Sequence, residues 1–168
     1  AGPGIMLLYS NGNTLSDNTA NSNVYGIDLA YSNSNTLSDN TANSNVYGIY
    51  LQGSNTNTIT SNNAGSNLYG IYLQISANSN NIYNNKFISN TINGYDTGNN
   101  SWNTTKTLGT NIIGGPYIGG NFWSDYNGSD TDGDGLGNTN LPYNSSGNIM
   151  NGGDYLPLTQ FTIATTTS

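Results

Sequence analysis

The 168-residue chain contains no Cys, His, Arg or Glu, and its only cationic side chains are Lys86 and Lys106. Without His or Cys it builds no zinc, haem or iron–sulfur site of the usual kind, no thiol nucleophile and no Ser–His–Asp triad. Without Arg, and at a net charge of −7, it lacks the cationic face that nucleic acids require. No apolar run is long enough to cross a membrane as a helix, and no secretory signal is present. The opening Ala1-Gly-Pro-Gly has the form of a mature N-terminus. Hydrophobic residues are only 33% and charged residues only 7%, against roughly 45–50% and 25% in ordinary globular chains. Disordered chains are also poor in apolar residues, but they usually carry many charges. Here charges are few and the apolar residues are periodic.

What the chain has in abundance is Asn (33), Gly (22) and Tyr (13). That uncharged polar composition points to an extracellular surface. Gly4, Gly26, Gly48 and Gly70 recur every 22 residues. Each opens an apolar alternation, as in Gly26-Ile27-Asp28-Leu29 and Gly48-Ile49-Tyr50-Leu51. Leu15, Leu37 and Ile59 follow in phase, as do Asn18, Asn40, Asn62 and Ala20, Ala42, Ala64. A fourth copy carries one extra residue and places Ile82, Asn85, Phe87 and Asn90 in the corresponding positions.

A leucine-rich repeat needs more leucine and a helical half, whereas period-two alternation with Thr, Asn and Gly disfavours helix. The pattern predicts an all-β, right-handed parallel β-helix (β-solenoid) of about four to five coils over residues 1–98. An irregular C-terminal cap over 99–168 completes a single unit. Ile27 and Leu29 should point inward and Asp28 outward. Ala42 should point inward from a third strand. Asn40 and Asn45 should sit at left-handed corners and hydrogen-bond to their counterparts one coil away. One coil buries a few aliphatics at roughly 1.5–3 kcal/mol each. Ordering its backbone costs about 1–2 kcal/mol per residue. Coils are therefore stable only in stacks.

Tyr25, Tyr47 and Tyr69 should form an aromatic ladder, as should Tyr9 with Tyr31 and Tyr50 with Tyr72. Stacking along a sheet is the simplest role. Tyr50 and Tyr72 share the parity of Asp28, so they are expected on the surface as contact residues.

The cap holds one sharp chemical motif, Asp130-Thr-Asp132-Gly-Asp134-Gly135-Leu136-Gly-Asn138. Alternate carboxylates followed by glycine match the front half of a calcium loop. Leu136 would offer its carbonyl, and Asn138 would act directly or through water. Leu141 stands where an EF-hand has Glu, so a further carboxylate is needed, and Asp125 and Asp154 are the candidates. The expected cofactor is structural Ca²⁺, with no copper, zinc or haem. Asn99, Asn103, Asn127 and Asn144 begin Asn-x-Ser/Thr sequons, and none occurs in the repeats.

The Tyr-Gly-Ile-Tyr-Leu…Asn-Thr-Ile/Leu…Asn repeats resemble the NosD-type right-handed β-helix repeats, the carbohydrate-binding and sugar-hydrolase group. The run from Trp102 through Gly119-Gly-Asn-Phe-Trp-Ser-Asp-Tyr126 to Gly153-Asp-Tyr-Leu-Pro-Leu158 resembles the cap of many archaeal surface proteins of this type. The resemblance implies the fold and a surface location. Its copper-binding label does not carry over to a chain with only Met6 and Met150 as soft ligands. Its pectinase-like catalytic clusters do not carry over either. Asp17 and Asp39 stack one coil apart without a basic partner, so no enzymatic activity is expected.

The function expected is a structural surface protein that self-assembles head to tail, stabilised by calcium. Its edges would be the apolar Ile5, Leu7 and Leu8 at one end and a terminal strand with Phe161 and Ile163 at the other. A monomeric carbohydrate-binding or adhesion module is the alternative, and a polysaccharide-active enzyme the least favoured.

Overall fold

The computed structural model describes residues 2–74 and 76–160. The first coil carries β1 (Pro3–Leu8) and β2 (Thr14–Ser16), and the second β3 (Tyr25–Ala30) and β4 (Thr36–Ser38). The third carries β5 (Tyr47–Gln52), β6 (Thr58–Thr60) and β7 (Asn63–Gly65). The fourth carries β8 (Tyr69–Leu73), β9 (Asn81–Tyr83) and β10 (Lys86–Ile88), and β11 (Ile92–Asp96) opens a fifth. The strands stack into parallel sheets ordered β1-β3-β5-β8-β11 and β2-β4-β6-β9. The register is the 22-residue repeat itself: Ile27 faces Ile49, and Leu37 faces Ile59. This is a parallel β-solenoid of about four turns, as the spacing of like residues requires.

Ile27, Leu29, Leu37, Ile49, Leu51, Ile59, Ile71, Leu73 and Ile82 are fully buried and form the continuous core. Gly26, Gly48 and Gly70 let successive backbones meet. A Cβ on Gly48 would lie 2.5 Å from the Gly70 carbonyl oxygen. The third side is a narrow column of Ala20, Ala42 and Ala64, which Phe87 and then Trp123 continue in register. That change from small to large side chains closes one end of the stack.

The cap contributes β12 (Thr107–Leu108) and β13 (Tyr117–Ile118), paired antiparallel. It also contributes β14 (Phe122–Trp123), which adds to the third sheet beside β10, and a 3₁₀ turn, Ser145–Gly147. Asn100 and Ser101 still follow the coil pattern, because Ser101 bridges to Asn81. The coil pattern therefore runs past residue 98 into the start of the cap.

The corners differ from expectation by one residue. The left-handed positions are Asp17, Asp39, Ser61 and Asn84 in one column, and Ser22, Ser44, Ser66 and Ser89 in another. Asn40 and Asn45 follow them and turn their side chains inward, where both are buried. The left-handed residue swings the chain, and the next amide then satisfies the backbone groups that the bend frees.

Candidate functional site

Buried and half-buried asparagines form three inner ladders: Asn13-35-57-80-100, Asn18-40-62-85-121 and Asn23-45-67-90. The Oδ1 of each rung accepts the N–H of the rung before it, as in Asn40 N to Asn62 Oδ1 at 3.0 Å. Along the first two ladders and from Asn67 to Asn90 in the third, Nδ2 also donates forward, as from Asn40 to Asn62 at 2.9 Å, and inner rungs donate back to a carbonyl, as from Asn40 to Leu15 O at 2.9 Å. The ladders therefore have polarity. Donors run toward the cap, and the last rung needs an acceptor.

Three aspartates supply it. Asp96 accepts from Asn100 Nδ2 at 3.0 Å and from the Trp102 indole at 3.1 Å. Asp154 accepts from Asn121 N at 2.7 Å, the Trp123 indole at 2.8 Å and Leu156 N at 2.9 Å. The third ladder passes through Asn93 to Asp125 at 2.5 Å, which also accepts the Tyr143 hydroxyl at 2.7 Å. Asp96 and Asp154 have no exposed surface. Burial pushes the Asp96 carboxyl above the usual range, against its N–H donors. Burial pushes Asp154 further, to about 7, again against its donors. These residues seal the end together with Trp102, Trp123, Tyr143 and Ile149.

Asp125 and Asp154 do not join the acidic loop as expected: Asp154 is spent as a ladder terminator, Asp125 ends a ladder through one of its two oxygens, and neither lies within the converging set. The carboxylates that do converge are Asp130, Asp132 and Asp134, with ligand atoms within 4.8 Å of one another. Asp130 accepts from Gly133 N and Gly135 N, each at 2.7 Å. Desolvation acts to raise its carboxyl, but those backbone donors outweigh it and hold the group below the usual carboxylate range. Gly135 has φ of 87°, the left-handed turn the motif demands. Asn138 Oδ1 closes the loop by accepting from Thr131 N at 2.7 Å. Leu136 is buried and bridges Leu158, so the loop is anchored to the cap interior. The Lys106 ammonium pairs with Asp134 and lies 4.4 Å from the Tyr117 ring centre. Nothing in the residue spacing points to that cation.

The tyrosine ladders form as expected. Tyr25–Tyr47 and Tyr47–Tyr69 stack at 5.1 and 5.2 Å, Tyr9–Tyr31 at 5.2 Å and Tyr50–Tyr72 at 5.5 Å. Tyr50 and Tyr72 are half-buried rather than exposed, because the neighbouring tyrosine column leans over them. Tyr50 packs 5.0 Å from Tyr25, and burial pushes its hydroxyl up to about 12. The same cover buries Asp28 to 8% exposure and leaves its Oδ1 without a partner, so outward parity did not mean exposure. Rings stacked on one another spend their faces internally and present edges outward.

Ile5 and Leu7 are half-buried against the core, and Leu8 is 52% exposed. Phe161 and Ile163 lie outside the described residues. Asn99, Asn127 and Asn144 are exposed. Asn103 is half-buried, with Oδ1 accepting from Tyr155 N at 3.3 Å. Asp17 and Asp39 are exposed corner residues. No described helix is long and apolar enough to cross a membrane.

No match was found among curated proteins or among solved structures. A family model described as "Periplasmic copper-binding protein (NosD)" matches residues 1–128, the solenoid and the first part of the cap. With the stacked coils and the match over most of its length, the chain belongs to the NosD family of parallel β-helix proteins.

Proposed function

We propose that the chain is a structural protein of the cell exterior, sealed at one end, that self-associates through the edge strand at the other. Ladder polarity carries this reading. Among the described residues the Oδ1 atoms of Asn13, Asn18 and Asn23 receive no donor, although every later inner rung does. Beside them runs β1, paired on one side only, with Met6 and Leu8 exposed. A strand edge with apolar side chains and a row of amide acceptors favours strand addition. Among the described residues the cap end offers no such edge, which disfavours stacking of coil end on coil end. Head-to-tail growth instead uses the segment after Gln160 of one copy, added to β1 of the next, and such a contact propagates. The periplasmic description of the family supports a place outside the cytoplasm.

A structural Ca²⁺ held by Asp130, Asp132 and Asp134 would pin the cap, and Lys106 would leave Asp134 to admit it. Copper does not fit. Met6 lies in β1 and Met150 in the segment that pairs beyond β11 through Asp96, about five strand spacings or ~24 Å apart. No catalytic role is assigned to Asp17 and Asp39, exposed corner residues that have no His, Lys or Glu beside them among the described residues. Electron microscopy and light scattering of the chain in calcium, beside a variant ending at Gln160, test the reading. Filaments that disappear on truncation support it; monodisperse single rods under all conditions reject it.

A further inference from the structure

The cap contains a cleft of about 190 Å³ that none of these roles uses, walled by Asp125, Tyr126, Asn127, Asn140, Tyr143 and Asn144. It lies largely beyond the family match. Asp125 is held from behind, with Oδ1 accepting from Asn93 at 2.5 Å and from the Tyr143 hydroxyl at 2.7 Å. Its other oxygen has no donor among the described residues, and the side chain is exposed. Asn140 Nδ2 donates to Asn127 Oδ1 at 3.2 Å across the rim. Tyr126 stands edge-on to Tyr143 at 6.2 Å and is tethered by its hydroxyl to Thr139 O at 2.5 Å.

The backbone around the cleft is strained outside any repeat. Asn140 has φ of 52° and Ser146, which also lines the cleft, φ of 56°. Non-glycine residues in that region cost about 1–3 kcal/mol and tend to cluster where geometry serves a ligand. In the solenoid such residues serve the corner of every coil, but here no stacking demands them.

The lining decides the chemistry. Lys86 lies on β10, and Lys106 is paired with Asp134. Among the described residues no cation lines the cleft to hold an anionic ligand. A pre-oriented carboxylate accepts O–H donors, exposed amides both donate and accept, and a fixed aromatic ring packs against C–H groups. The volume falls below the roughly 300–1,000 Å³ of drug-sized pockets, so it admits one ring. We propose that this cleft binds a single neutral sugar unit, with the free oxygen of Asp125 accepting from its hydroxyls. The site is independent of self-assembly.

The test is NMR titration of the full chain, made in a host without N-glycosylation, with D-glucose, D-galactose and N-acetyl-D-glucosamine in calcium buffer. The expected result is millimolar binding of one of them that shifts the side-chain amides of Asn127, Asn140 and Asn144. Asn140→Gly keeps the left-handed backbone relaxed, and Asp125→Asn keeps an oxygen for Tyr143 and Asn93. Each should weaken binding by about tenfold. No shift with any of the sugars, shifts confined to other residues, or unchanged affinity in both variants overturns the proposal. A glycan attached at Asn127 or Asn144 is the other source of such a ring. In chain from a glycosylating host it would fill the cleft and abolish the shifts, whereas persisting shifts identify the free sugar as the ligand.

Discussion

Removing one inner rung, Asn62→Ala, probes the ladder where it is fully enclosed. Asn62 is 1% exposed. Its Oδ1 accepts from Asn40 N at 3.0 Å and Asn40 Nδ2 at 2.9 Å. Its Nδ2 donates to Leu37 O, Thr60 O and Asn85 Oδ1, each at 2.9 Å. Alanine leaves the buried Asn40 N–H without an acceptor, and the Leu37 carbonyl and Asn85 amide each lose a donor. A wholly orphaned buried group costs about 1–3 kcal/mol, and each net bond lost about 1 kcal/mol. The sum is about 3–5 kcal/mol, a large share of the roughly 5–15 kcal/mol that holds a domain. Asn33→Ala is the control. Its Oδ1 accepts only Asn55 N at 2.7 Å, at a partly exposed position, so about 1 kcal/mol is expected. Urea unfolding followed by circular dichroism and by tryptophan fluorescence reads both. If Asn62→Ala costs no more than Asn33→Ala, the inner ladders are not what holds the coils together.

Three further outcomes follow from the cap and the stack. Calcium at one hundred times its dissociation constant should stabilise the chain by about 2.7 kcal/mol, and Asp132→Asn should abolish the rise in melting temperature that chelator reverses. Asp154 has its carboxyl raised from 3.8 to about 7. Its stabilisation is therefore complete below the free value and lost as pH rises through about 7, worth about 4 kcal/mol at most. The lowered Asp130 carboxyl acts in the opposite sense, so its share is lost as pH falls through its folded value. Melting temperature against pH should lose its neutral-range decline in Asp154→Asn; an unchanged profile would show that Asp154 is ionised throughout. Gly48→Ala drives a methyl into the Gly70 carbonyl, and calorimetry should record a loss of about 1–3 kcal/mol, as overpacking does.

The acidic loop was legible because its geometry is local. Asp130, Asp132 and Asp134 converge within one turn, and spacing alone reports that. Asp125 and Asp154 were misread for the opposite reason. Their partners Asn93, Asn121, Trp123 and Tyr143 lie 18–33 residues away, and nothing in the spacing links an aspartate to the last rung of a ladder. The signal in the sequence was the pair Trp102 and Trp123, whose indole N–H groups need acceptors once buried. Tyr50, Tyr72 and Asp28 failed on a subtler point, since parity reports which face of a sheet a side chain leaves but not what leans across that face.

The repeat by itself determined the architecture. An identical residue every 22 positions makes every strand pair with its own copy, so register, core and ladders follow from periodicity. The ends break that symmetry, and there only the tertiary structure decides. The direction of the amide ladders leaves unmatched donors at one end and unmatched acceptors at the other. Which aspartates terminate the donors, and which clefts the cap leaves open, depend on how an aperiodic segment folds back over the last coil.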